Sequence, residues 1–468
     1  RRTPPPPPPL PPLPLRHTLD VVDSTSLAAE AFGDLKQTPL KLAALAVKVV
    51  KRTTQEKREE IKVEVKEPWS LPKSIFRERT KVCDSKGFFD SQKVEDAVFE
   101  NDWANLTAKE KFTSAMAREA KNSDQKLTEE KNLALIKDMI KKKHKLLRKA
   151  FMFYAGMGSG DPFCLGLNSY TSFLEESNIP DRDSKQCKRS DCDTLYIVAN
   201  FSTKDAPQSE GNSDNALARF EFIEAMIRLA VAKYGKGVAT NEVSDAIQMI
   251  LSQNVEPNLK LVANLDPNDF RKDRLYTEEC DDLFRKHEKV LRALYSRYRQ
   301  VPKSGGVRPK MLDIGGWEIM ADDLNLISDE FTLLDMRICY LYSRMLFKDE
   351  MKDYKKTIHL TFIDFLEALS RMADALSFPS MEDILTAGYE SVMQWFLEFT
   401  GGPAPNGVKP IPKRASFGLE TPKQRPLHLK VDALLTIMYE KLNPDPKKPV
   451  DIKAVTAALQ QQDHKMGP

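Results

Sequence analysis

LARFEFIEAMIRLA, Leu217–Ala230, is matched further along the chain by LTFIDFLEALSRMA, Leu360–Ala373. Both follow one template: Leu, two variable positions, a bulky apolar residue, an acid, Phe, an aliphatic, Glu, Ala, an apolar residue, a variable position, Arg, an apolar residue and Ala. The second stretch begins 143 residues after the first (360 − 217). The match extends upstream, where Leu147, Arg148, Phe151 and Tyr154 correspond to Leu291, Arg292, Tyr295 and Tyr298. Tyr170, Phe173, Glu176 and Ile179 correspond more loosely to Trp317, Met320, Asp323 and Ile327. Asp193 with the apolar run Leu195–Phe201 corresponds to Asp335 with Met336–Met345. Segments recurring in one order at nearly one offset indicate an internal duplication, roughly 128–234 and 275–376.

Each copy carries two helix–loop–helix patterns. In 128–155 the apolar residues Leu133, Ile136, Ile140, Leu147, Phe151 and Tyr154 are mostly three or four apart, the spacing of one buried helical face. Gly156–Pro162 stops that helix, and helical spacing resumes at Tyr170–Ile179. A helix over Asp193–Phe201 and a polar loop to Asn215 lead into the LARFEF helix. The second copy repeats the order: helices 279–299, 315–327, 329–346 and 361–376, with loops at 302–309 and 348–358. The expected fold class is all-α.

Paired helix–loop–helix units, whose exit helix opens with an aliphatic residue, three variable positions, an acid and Phe, resemble EF-hands of the calmodulin superfamily. The resemblance covers about half of the chain. It places Leu217 at loop position 8, Glu221 at the position-12 acid and Phe222 as the first exit-helix anchor, with Leu360, Asp364 and Phe365 in the same roles. It implies two tandem EF-hand-like pairs with extended N- and C-terminal segments.

The loops depart from the metal-binding pattern, which needs oxygen ligands at positions 1, 3, 5 and 12 and Gly at 6. Counting back from Glu221 gives Glu210, Asn212, Asp214 and Asn215, so the candidate metal ligands are Glu210, Asn212, Asp214 and Glu221, with Asn in place of Gly. Counting back from Asp364 gives Asp353, Lys355, Thr357 and Ile358, which puts a Lys at a ligand position. Gly156–Leu167 has Asp161 as its one acid, and 303–314 holds two Lys, an Arg and one Asp. The expectation is that no cofactor is required, with Ca²⁺ to be tested at the 210–221 loop alone.

Composition sets bounds on the rest. A chain of 468 residues, 41% hydrophobic and 30% charged, can bury sizeable cores beneath an ionic surface. A net charge of +3 from 71 basic and 68 acidic residues favours no particular partner. Six Cys without paired spacing suit a reducing compartment. Cys187 and Cys192 lack a second ligand pair and read as buried thiols, not as a zinc site. No apolar stretch approaches the ~20 residues that cross a bilayer, and Lys41 and Lys48 break the longest, Leu40–Val50. No membrane and no nucleic-acid partner is expected, the latter because no nucleic-acid-binding motif accompanies the basic run at Lys141–Lys149.

Pro4–Pro14 is nearly pure proline and reads as an extended spacer or a ligand for aromatic-lined grooves. Residues 40–51 have a helical pattern, with Leu42, Leu45 and Val49 on one face. From 52 to 126, isolated anchors (Trp69, Ile75, Phe99, Trp103, Phe112 among them) punctuate charged sequence, as in a segment that drapes over another surface. The run Lys141–Lys149 reads as a solvated helix face, or more sharply as a contact for an acidic polymer such as tubulin. Past the second copy come helix 381–399, a Gly/Pro/Lys-rich linker at 401–426, and helices at 428–442 and 451–461. The expected divisions are a proline-rich segment 1–25, a partner-binding segment 26–126, helix–loop–helix pairs at 127–240 and 275–400 separated by a linker 241–274, and a tail 401–468.

Neither a phosphate-binding loop, nor a His-Glu-x-x-His, nor a Gly-x-Ser-x-Gly motif occurs in the sequence, and its six His are scattered singly. Glu224 and Arg228, repeated as Glu367 and Arg371, have the i,i+4 spacing of helix-surface ion pairs. The expected function is therefore a non-enzymatic scaffold binding protein partners in a large cytoskeletal assembly. Similarity to EF-hand-like proteins of cilia and flagella implies the axoneme and its microtubules as the setting. Two alternatives stay open: a Ca²⁺-responsive adaptor, and an actin-linked or signalling adaptor recruited through the proline run.

Overall fold

Thr128 opens the first long helix by accepting a hydrogen bond from the Lys131 amide, with Glu129 and Glu130 in the favourable first turn. The computed structural model describes residues 68–158, 160–201, 215–299, 311–328, 331–376, 378, 381–386, 388–399 and 425–465. The proline run, the 40–51 pattern, most of the 202–215 loop and the 401–424 linker lie outside them.

The protein is all-α. The N-terminal segment enters through short turns at 71–78 and a helix at Arg79–Val82, then forms α1 (Gln92–Thr107) and α2 (Glu110–Asn122). The first copy comprises α3 (Glu129–Met157), β1 (Leu165–Gly166), α4 (Leu167–Glu176), α5 (Arg189–Asn200), β2 (Ala216–Leu217) and α6 (Arg219–Lys233). After it comes α7 (Val243–Ile250), which runs into a π-helical turn over Leu251–Val255. The second copy comprises α8 (Glu278–Arg299), α9 (Ile314–Asp323), α10 (Leu333–Ser343) and α11 (Phe362–Leu376). The chain closes with α12 (Val392–Phe399), α13 (Leu427–Lys441) and α14 (Ile452–Lys465).

The two copies repeat their contacts as well as their helices. β1 and β2 pair antiparallel, Leu165 opposite Leu217, and the second copy has a single bridge, Leu312 opposite Leu360. Tyr196 Oη donates to the carbonyls of Leu165 and Asn215, both at 3.1 Å; Tyr340 Oη donates to those of Leu312 and Ile358, at 3.0 and 2.6 Å. Tyr154 Oη meets Glu176 at 2.7 Å, as Tyr298 Oη meets Asp323 at 2.9 Å. Tyr170 Oη and Trp317 Nε1 donate to the carbonyls of Cys192 and Met336, which corrects the third sequence match by two residues: the helix-capping Asp191, not Asp193, corresponds to Asp335.

Three further sequence expectations change. Residues 241–274 are built into the core: Val243, Ala246, Ile247 and Ile250, at three- and four-residue spacing, bury α7 against α3 and α6. The helix expected over 381–399 is two, Met381–Thr386 and α12; Gly388 between them has φ +85°, a left-handed conformation that favours glycine. Of the segment expected to bind a partner, the described residues from 68 onward pack on the protein's own body. Phe99, Leu106 and Phe112 enter the first core, and Ile75 and Phe76 enter the second.

The C-terminal helices also return to the body, α13 packing on α8 and α11 and α14 on α8. α7 and α13 thus cover the same pair of faces in the two copies, the first and fourth helices of each. The halves share α10, whose Ile338, Leu341 and Tyr342 belong to the first core and whose Met336, Cys339 and Tyr340 belong to the second.

Candidate functional site

The exit helices α6 and α11 each place two acids three residues apart near an N-terminus, and each pair is met by a cation from the N-terminal segment. Glu210, Asn212 and Asp214 lie outside the described residues. Glu221, the fourth sequence-predicted ligand, is at the third position of α6 and is 0% exposed. Its Oε2 accepts from the Ala218 amide at 3.0 Å, which satisfies a helix-end donor. Lys109, at the corner between α1 and α2, brings Nζ to 3.4 Å from Glu221 Oε1 and 2.9 Å from Glu224 Oε2, and also donates to the Ala199 carbonyl. Burial pushes the Glu221 carboxyl up from its ordinary range, with Lys109 opposing.

The second copy repeats this arrangement 143 positions later. Asp364 Oδ2 accepts from the Thr361 amide and hydroxyl at 3.0 and 2.6 Å. Arg79 takes the place of Lys109: Nη2 is 2.9 Å from Asp364 Oδ1, and Nη1 is 2.5 Å from Glu367 Oε2. Glu367 also receives Arg271 Nε at 3.0 Å and Arg371 Nη2 at 2.6 Å. Burial alone would raise its pKa, but the Arg271, Arg79 and Arg371 guanidinium groups outweigh that and hold it at about 2. Arg271 and Arg79 are themselves fully buried, so each needs these carboxylates.

The i,i+4 ion pairs expected on the helix surface form, Arg228 Nε to Glu224 at 2.8 Å and Arg371 to Glu367, but not at the surface. Glu224 and Glu367 are both 0% exposed, because α6 and α11 are surrounded by other helices and the N-terminal segment. Among the described residues, the Lys109 ammonium group is the charge partner that Glu221 and Glu224 share. Among the described residues no cluster of three or more His, Cys, Asp or Glu is disposed to hold a metal.

The basic run on α3 is met by the protein's own acceptors. Lys141 reaches Glu100, Lys142 Asp138, Lys143 Glu256, Lys145 Asp266, and Arg148 Glu95, while Lys149 donates to the Asn264 carbonyl. His144 is buried, with Nε2 2.8 Å from Asp102 Oδ2, and Asp102 also takes Arg219 at 2.7 Å. Burial lowers the His144 pKa despite that partner. These contacts tie α1 to α3 and α6. Cys187 and Cys192 are buried free thiols, their sulfurs 3.9 Å apart.

Sequence reasoning missed Arg79, Lys109 and Asp102, since an isolated charge in a charged segment has no periodicity. A signal was present on the other side of each contact: two acids three residues apart within an otherwise apolar exit helix must find cations if that helix is buried.

Two clefts flank this arrangement and share Arg344. One, of about 400 Å³, runs between residues 81–86 and the 344–364 stretch; the smaller, about 80 Å³, lies between α1, α3 and residues 346–357. Comparison of the whole chain with models of known protein families, with characterised proteins and with solved structures finds no match.

Proposed function

We propose that the protein is a non-enzymatic scaffold whose body is a duplicated EF-hand-like helical unit, clamped by its own N-terminal segment. The helix order, the short antiparallel pairing between loops in each copy, and the acid that caps each exit helix support the EF-hand-like reading. The observation that carries the scaffold reading is the pair of built-in cations. Lys109 and Arg79 engage the two carboxylates that the EF-hand pattern assigns to metal, and each helix pair has a face already covered by a helix of this chain, α7 or α13. A metal sensor of this family works by opening such a face, whereas here the face is filled and the opening charge is fixed. The large cytoskeletal assembly, and the ciliary axoneme with its microtubules in particular, is proposed from the resemblance to EF-hand-like ciliary proteins.

Calorimetric titration of Ca²⁺ into the full chain, with Glu221→Gln as control, tests the first part. The expected result is no binding heat and a helical circular dichroism spectrum unchanged by chelator. Micromolar binding that Glu221→Gln abolishes would instead make the protein a Ca²⁺-responsive adaptor. Co-sedimentation with polymerised tubulin tests the partner, and a chain that stays in the supernatant at low salt would remove microtubules from the proposal.

A further inference from the structure

The larger of the two clefts has a chemistry that the clamp leaves unused. Its rim carries Lys81, Lys86 and Lys356, all exposed, and Arg344 borders it and the smaller cleft as well. Its walls include Val82, which is 47% exposed, and Phe347.

Charge balance inside this cleft is lopsided. Two acids border it: Asp364, which pairs with Arg79, and Asp84, which accepts from the Lys348 amide at 2.8 Å and keeps its charge, against the four cations Lys81, Lys86, Lys356 and Arg344. Lys356 has Asp353 at 2.6 Å, on the surface. Arg344 stands apart from Arg79, Arg219, Arg271 and Arg371, which all meet carboxylates within 3.0 Å. It donates one Nη1 hydrogen bond to the Thr357 carbonyl and lies 4.3 Å over the Phe163 ring, and its Nε has no acceptor. The two acids whose charge acts on it, Glu350 and Asp364, are paired with Arg219 and Arg79. A mostly buried guanidinium without a carboxylate is costly to hold, since one plane of its hydrogen-bonding fork stays unused.

We propose that the cleft bordered by Arg344, Lys81, Lys86 and Lys356 is a docking site for an acidic peptide segment of a partner protein. A carboxylate of that segment pairs with Arg344, neighbouring acids meet the rim lysines, and an aliphatic side chain packs on Val82 and Phe347. The site does not depend on whether the 210–221 loop binds Ca²⁺, nor on which assembly the protein joins. An acidic peptide fits better than a single small anion because the cations are distributed around an opening with apolar walls, not converged on one point.

Fluorescence anisotropy of the full chain with a labelled glutamate-rich peptide carrying leucines tests this, beside a lysine-for-glutamate peptide of the same length. The expected result is saturable, salt-sensitive binding of the acidic peptide only, weakened at least about tenfold by the double variant Lys81→Glu/Lys86→Glu. Those lysines are exposed, so the variant should melt like the parent; Arg344→Lys, a deeper change, should weaken binding similarly. Absence of binding, equal binding of the lysine peptide, or binding indifferent to the rim variant would overturn the proposal. So would displacement by a free fatty acid at matched affinity, which would assign the cleft to small amphiphiles.

Discussion

Glu367 meets three guanidinium groups, those of Arg79, Arg271 and Arg371, while fully buried, and that sets its behaviour in acid. Its pKa is depressed to about 2, so it stabilises the fold above its ordinary range near 4.5, and the contribution fades as pH falls toward 2. A circular dichroism titration of the parent should show stability declining across that window, and Glu367→Gln should flatten the decline. The same substitution should cost about 3–5 kcal/mol at neutral pH, because Arg79 and Arg271 would remain buried with less charge to meet. Lys109→Met removes the cation between Glu221 and Glu224 and should lower the melting temperature. Because burial already raises the Glu221 pKa, the loss should shrink as the pH is lowered and that carboxyl takes up a proton. A loss that grew toward low pH would mean the lysine is not compensating a buried acid.

At the scale of elements, the long helices were legible because burial on one face imposes a period. α3, α8 and α11 begin or end within a residue or two of their predicted bounds. The duplication was legible too, down to the partners Tyr154–Glu176 and Tyr298–Asp323, which the alignment of the two copies had set side by side. What could not be read was attachment: nothing in Val243–Ile250 or Leu427–Lys441 states which groove an amphipathic helix will enter. The cations of the candidate site fall in the same class, since a single Lys or Arg has no pattern until its acceptor is placed. α13 gives this a test. Leu434→Asp puts a charge where the side chain is 0% exposed, and should free α13 from α8 and α11. The expected signature is new binding of a hydrophobic dye with most helical dichroism retained. If dye binding does not change, the face beneath α13 is not the apolar surface described.

For the whole molecule, the sharing of α10 between two cores argues against independent halves. Ile338 and Tyr340 are two residues apart in one helix, yet they belong to different cores, so neither half can lose α10 without opening the other. Scanning calorimetry of the full chain should therefore give one main transition for both copies. Two well-separated peaks of similar size would show that the interface across α10 is weak. Arg79 and Glu367 are 288 residues apart in sequence, and Ile75 and Phe76 sit in a core otherwise built after residue 270. During synthesis, these first anchors leave the ribosome long before their partners exist. Closing that contact involves a long loop, which slows folding. Until α11 is made, the nascent chain carries a guanidinium and two apolar side chains with nowhere to go, which is where a chaperone would be needed.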